Sequence, residues 1–211
     1  MARKNDTELT TSKILTVSSK LFFEKGFEQT SIQDIVTALG MSKGAIFHHF
    51  KSKDAIFDAV LERYASIIIR KTDEWLENCK GMTAKEKITY LLECHISDDI
   101  LSFEATAAYR QIFSPGILAA VTKLCINKYA PLFSWLFMEG IKDGSIQTAF
   151  PKETAEVFHL LYNIWTTYEN GMRKKLKFLQ HTMKLLGADI ISDTIIDKYV
   201  DYVEREKQPQ K

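Results

Sequence analysis

Between Thr30 and Lys53 the run TSIQDIVTALGMSKGAIFHHFKSK encodes two helices, each too short to be stable alone. Thr30 or Ser31 can cap free backbone N–H groups at the start of the first, and Gly40 can take the left-handed conformation that ends it. Ile32, Ile35, Val36 and Leu39 lie three and four apart, so they share one face of about two turns. Isolated helices below ~12 residues are marginal in water, and this face needs a partner. The partner begins at Ser42, a second cap, and turns Ile46, Phe47 and Phe50 inward. Lys43, Gly44, Ala45 and His48 are left facing out, with His49 near the boundary. A preceding helix from Thr11 or Ser12 to Lys25, stopped by Gly26, offers Ile14, Leu15, Val17, Ser18, Leu21 and Phe22 as the face that covers the pair.

The outward edge of the second helix is small and polar. Gly44 is costly inside a helix, which points to close approach by something outside the chain. A helix that enters the major groove of DNA wants this arrangement, because small residues let its backbone near the phosphates while short polar side chains meet base edges. Net charge is only +1, so affinity for a polyanion must come from local placement. From Met1 to Lys53 eight Lys and Arg stand against five Asp and Glu.

These residues carry a resemblance. K-G-A-I-F-H-H-F-K-S-K-D-A-I-F is similar to the end of the helix-turn-helix in the tetracycline-repressor (TetR) family of transcriptional regulators, and the wider match runs from about Thr11 to Leu61. Two positions depart from the family pattern: Val36 stands where a small Ala is common, and Phe47 where a Tyr would offer a phosphate its hydroxyl. The resemblance implies an N-terminal three-helix DNA-binding domain over 1–53 and a C-terminal helical domain for ligand binding and dimerisation over 54–211. The expected DNA contacts are Thr30, Ser31, Ser42, Lys43, Gly44, Ala45, Phe47, His48, His49, Lys51 and Lys53, with His49 alternatively holding the fold. Palindromic double-stranded DNA, a small-molecule effector and a second copy of the chain are the implied partners, and a repressor is the implied role.

Composition agrees with an all-α chain. Of 211 residues, 45% are hydrophobic, with only 9 Gly and 4 Pro, which leaves little room for a turn-dense β fold. Asp54 to about Cys79 reads as one long amphipathic helix. Another starts at Thr83 and passes Ile88, Leu91, Leu92 and His95, and a third ends at Ser114-Pro115-Gly116. Ile117 to Lys142 follows with an interruption at Pro131, closed by the turn Gly140 to Ile146. Pro151 opens a helix expected to continue through Val157, Leu161 and Trp165 to Met172. The last amphipathic helix takes in Ile190, Ile191, Ile195, Ile196, Tyr199, Val200, Tyr202 and Val203.

The central aromatic set suggests where an effector would sit: Tyr90, Cys94, Phe103, Tyr109, Phe113, Phe133, Phe137, Tyr162 and Trp165, with Tyr129 nearby. Such spacing also fits ordinary core. A flat or hydrophobic effector is expected, and Glu104 or Glu169 would favour a cation. Phe158, Leu161, Ile191, Ile195, Tyr199 and Tyr202 exceed what one helix pair buries and are the expected dimer surface.

Other classes stand beside this one. Cys79, Cys94 and Cys125 are odd in number and match no zinc spacing, so reduced, buried thiols in a cytoplasmic protein are expected. Met1 to Asp6 is charged with no apolar run after it, and no stretch reaches membrane-spanning length. Glu156 and His159 form half of the paired Glu-x-x-His signature of a helix-bundle di-iron site, and no second half occurs. No phosphate loop or nucleophile elbow is present, so no catalytic residue, metal or cofactor is expected. A helical adaptor that binds only proteins is the remaining alternative.

Overall fold

The computed structural model describes residues 2–97, 115–167 and 171–206, and among these every regular element is a helix. Helix α1 (Ala2–Lys25) begins well before the Thr11 expected from apolar periodicity. The early residues carry no Pro or Gly to stop a helix, and periodicity cannot register a helix whose faces are all polar. Helices α2 (Ile32–Leu39) and α3 (Lys43–His49) fall where their caps put them. Gly40 closes α2 at φ 63, the conformation a side chain would resist. Helix α4 (Lys53–Leu76) follows at once, started by Ser52, whose hydroxyl accepts from the Ala55 N–H at 3.0 Å.

Phe22, Phe27 and Phe57 bind these elements together, their ring centroids 4.7 to 5.4 Å apart. With Ile14, Ile35, Ile46 and Ile56 they form one apolar cluster, which also takes in Val60, Leu61, Ala65 and the distant Leu124. The first turns of α4 are therefore built into the N-terminal core.

The second cluster joins α5 (Ala84–Ser97), α7 (Ala130–Asp143), α8 (Pro151–Asn163), α9 (Met172–Leu185) and α10 (Asp193–Glu206). Helix α6 (Pro115–Leu124) runs into α7 through a π-helical turn over Cys125–Tyr129. Pro131 explains the wide turn: it has no N–H to offer the Asn127 carbonyl, and the ladder shifts so that the Ala130 N–H reaches Cys125 O. The Gly140 to Ile146 turn has a second duty. Asp143 Oδ2 accepts from the Ala84 N–H at 2.7 Å and Ser145 Oγ from the Lys85 N–H at 3.2 Å, so this turn caps α5 from a distance.

Two expectations for the C-terminal part change. The helix opened by Pro151 stops at Asn163, followed by a single 3₁₀ turn at Trp165–Thr167, and Met172 starts a separate helix. Ile190 and Ile191 lie in the irregular connector before α10, both buried. Apolar content alone does not distinguish a buried connector from a helix.

Gly187 fixes that connector. Its φ is 77, its carbonyl accepts from the Gln147 N–H at 2.8 Å, and a Cβ there would stand 2.8 to 2.9 Å from backbone atoms of Gln147 and Thr148. Gly187→Ala should therefore cost about 1–3 kcal/mol, read as a lower urea midpoint with an unchanged slope.

Candidate nucleic-acid interface and central cavity

The helix pair is held by short-range polar contacts. Ser31 Oγ accepts from the Asp34 N–H at 3.1 Å while Asp34 Oδ2 accepts from the Ser31 N–H at 2.8 Å, a reciprocal capping box. Asp34 also meets Lys25 at 2.8 Å, tying the start of α2 to the end of α1. The hydrogen bond from Lys25, then those from Ser31, hold the Asp34 carboxyl well below the usual carboxylate range. In α3, Ser42 Oγ accepts from the Ala45 N–H at 3.2 Å, and Ile46 is wholly buried beneath.

What this leaves outside is one edge. Ser42, Lys43, Gly44 and His48 on α3 are exposed, together with Ser31 before α2 and Lys51 after α3, whereas Ala45 and Phe47 are half-buried. The Lys43 ammonium lies 5.8 Å from the centroid of the Phe47 ring. Among the described residues neither Lys43 nor Lys51 makes an ion pair. A Cβ on Gly44 would meet nothing in the chain nearer than Ser42 Oγ at 4.0 Å, so internal packing gives no reason for a glycine.

Three of the expected contacts are turned to other uses. Thr30 is 1% exposed, and its hydroxyl donates to Gly26 O at 2.7 Å, so Ser31 alone caps α2 and Thr30 presents nothing outward. Lys53 donates to Phe27 O at 2.8 Å with its ammonium 4.3 Å from the Phe27 ring centroid, pinning the α1–α2 loop. His49 meets Thr11 at 3.0 Å through Nδ1, which fastens α3 to α1.

A cavity of about 160 Å³ opens between the two apolar clusters. Helix α4 contributes Leu61, Tyr64 and Ile68, and the π turn and α8 contribute Tyr129 and His159. Of the residues expected to line an effector site, Phe133 and Tyr162 do so; Tyr90, Cys94, Phe137 and Trp165 do not. Phe137 is spent on the core, and Trp165 packs edge-on against Phe178 at 5.5 Å. Phe103, Glu104, Tyr109, Phe113 and Glu169 lie outside the described residues. The expected dimer surface is corrected as well. Phe158, Ile191, Ile195 and Tyr199 are buried within the single chain, and Leu161 and Tyr202 pack against the same cluster. Phe158 stacks between Phe133 at 5.2 Å and Tyr162 at 5.3 Å, so it walls the cavity instead of facing a second copy.

Cys79 and Cys125 are buried free thiols and Cys94 is partly so. Burial pushes the Cys125 thiol up to about 12. Among the described residues no three His, Cys, Asp or Glu side chains gather as a metal ion requires, and no helix is long and apolar enough to cross a membrane.

Residues 14–60 match the description "Bacterial regulatory proteins, tetR family". The matched stretch runs from within α1 through α2 and α3 to the first turns of α4. The chain's similarity to an uncharacterized HTH-type transcriptional regulator of Bacillus subtilis, YerO, is 35% identity over 41% of this chain and 30% of that protein's length. With the HTH-type transcriptional repressor KstR2 of Rhodococcus jostii, identity is 24% over 68% of this chain and 71% of the relative. The reduced form of E. coli NemR superposes with a TM-score of 0.57 at 19% identity, covering 85% of this chain and 98% of NemR, a likeness of fold.

The α4 contribution to the cavity went unread in the sequence. Its signal was present: Tyr64, Ile67 and Ile68 widen the apolar stripe of α4 beyond what one neighbouring helix covers. The Asp34 network yields a pH prediction. Because its carboxyl is lowered on folding, its stabilisation is full above the ordinary aspartate range and fades as the pH falls. The thermal midpoint of Asp34→Asn should lie below that of the parent at pH 7, and the gap should narrow below about pH 4.

Proposed function

We propose that the chain is a DNA-binding transcriptional regulator acting as a homodimer, a repressor released from a palindromic operator by a small, mainly hydrophobic or aromatic effector. Residues 1–53 serve as the DNA-reading unit and 54–211 as the effector and dimerisation unit. The observation that carries this reading is the outward edge of α3, where Ser42, Lys43 and His48 surround a glycine that nothing inside the chain requires. Ser31 and Lys51 flank the same edge and suit phosphate contact, which positions a protein without specifying sequence. Phe47 cannot offer a phosphate a hydroxyl, and its ring instead steadies the Lys43 ammonium.

Release would run through α4. Leu61 belongs to the N-terminal cluster and also walls the cavity, as does Leu124 on α6, so an occupant that displaces either disturbs the seat of α2 and α3. Glu62 on α4 and Lys128 in the π turn, 2.6 Å apart, add a polar strap across the same junction. A coupling of about 1–3 kcal/mol would lower operator affinity by about five- to 150-fold.

Two copies are needed for useful affinity, since recognition helices about 34–36 Å apart reach successive major grooves. The exposed apolar face that fits this role is Val157 on α8 with Phe178 and Leu185 on α9, the last two 56% and 74% exposed. Light scattering should give twice the 24.2 kDa chain mass, and Phe178→Glu with Leu185→Glu should return the monomer.

DNA binding is tested by gel shift with duplex from upstream of the chain's own gene. Lys43→Ala and Lys51→Ala should each weaken binding and flatten the log–log salt slope by about 1.8, since each removes two charges from the dimer. Gly44→Ala should raise stability by about 0.5–1 kcal/mol and yet weaken the complex, a split that structural importance alone does not produce. Failure to retard any duplex would favour the protein-binding adaptor.

A further inference from the structure

His159 stands in the wall of the central cavity with only 6% of its surface exposed. Its ring is gripped edge-on by Phe133 at 4.5 Å and Phe158 at 5.1 Å, centroid to centroid. Asn163 fixes the tautomer. The Asn163 amide nitrogen donates to His159 O at 2.9 Å and lies 3.3 Å from Nδ1. An amide NH₂ can only donate, so Nδ1 accepts and the ring proton resides on Nε2. Nε2 is buried and has no hydrogen-bond partner among the described residues. Burial, and secondarily the nearby His95, hold the His159 pKa down to about 3, so the imidazole is neutral.

We infer that the His159 Nε2–H is the polar anchor of the cavity, selecting uncharged, single-ring ligands that carry one hydrogen-bond acceptor, of which aryl ketones and aldehydes are the simplest class. This rests on the reading of the cavity as the effector site. A buried N–H without an acceptor is costly, and a ligand oxygen removes that cost. A neutral imidazole gives a carboxylate no counter-charge. Lys128, the cationic side chain in the described wall, is engaged by Glu62 at 2.6 Å, and His95 is held through Nδ1 by Leu91 O at 2.8 Å. Size sets the rest, because an apolar cavity of about 150 Å³ admits benzene and this one measures about 160 Å³.

Acetophenone and α-methylstyrene have nearly the same shape and differ in whether C=O or C=CH₂ meets the anchor. Calorimetric titration of the full chain should show acetophenone binding about five- to tenfold more tightly. His159→Phe should erase that preference while still taking α-methylstyrene, evidence that the cavity persists. In the parent protein, labelled with ¹⁵N-histidine, the His159 Nε2–H proton should move downfield with acetophenone and not with α-methylstyrene, a readout that holds even if the variant does not fold. Equal affinities of the two compounds for the parent, a preference that survives in His159→Phe, or an unmoved Nε2–H resonance would overturn the assignment of the anchor and leave the effector site standing. Binding of neither compound to the parent would overturn the site itself and the anchor with it.

Discussion

Helix α4 is the constraint on which both halves of the molecule depend. Its first three turns complete the aromatic and aliphatic core around Phe22, Phe27 and Phe57, and its next turns wall the cavity with Tyr64, Ile68 and Thr72. Neither half can bury its apolar surface without it. An α-helix is stiff along its axis, so a shift imposed at the cavity has few ways to dissipate before it reaches the N-terminal core.

The polar contacts hold positions that apolar packing leaves loose. Ser31 with Asp34, Ser42 and Ser52 each start a helix, and together they fix the angle at which α3 leaves the N-terminal core. Asp143 and Ser145 do the equivalent for α5 from a turn nearly sixty residues away in the chain. A cap of this second kind links elements that the sequence keeps apart, and it dictates that the Gly140 to Ile146 turn be folded before α5 is fully satisfied.

The helix pair was legible in the sequence because its signals are local. Ser42 and Gly40 specify their ends with no reference to the rest of the chain. Thr30 and Ser31 were indistinguishable as caps, since both carry a hydroxyl, and only the inward bond of Thr30 to Gly26 separates them. Lys53 was read as a phosphate contact because its charge is visible and its aim toward Phe27 is not. An amphipathic stripe states that a face is buried and is silent on what buries it. Ile195 and Tyr199 satisfy their stripe within the chain, while Phe178 and Leu185, on a helix too cationic to attract notice as apolar surface, face out. The cavity is assembled from helices far apart in the sequence, which is why Tyr64 and His159 entered it unannounced.

The π-helical turn before Pro131 works as a fixed gear. One additional residue in a single turn swings everything that follows by about 100° relative to an uninterrupted helix. Leu124 ahead of the turn is thereby aimed at the N-terminal core, and Phe133 and Phe137 behind it at the C-terminal one. Deleting one residue there would aim one of the two stripes at solvent and still leave Pro131 without an N–H to complete the ladder. The length of this segment is thus bound to the proline that strains it, so insertions and deletions are tolerated worst where the helix looks least regular.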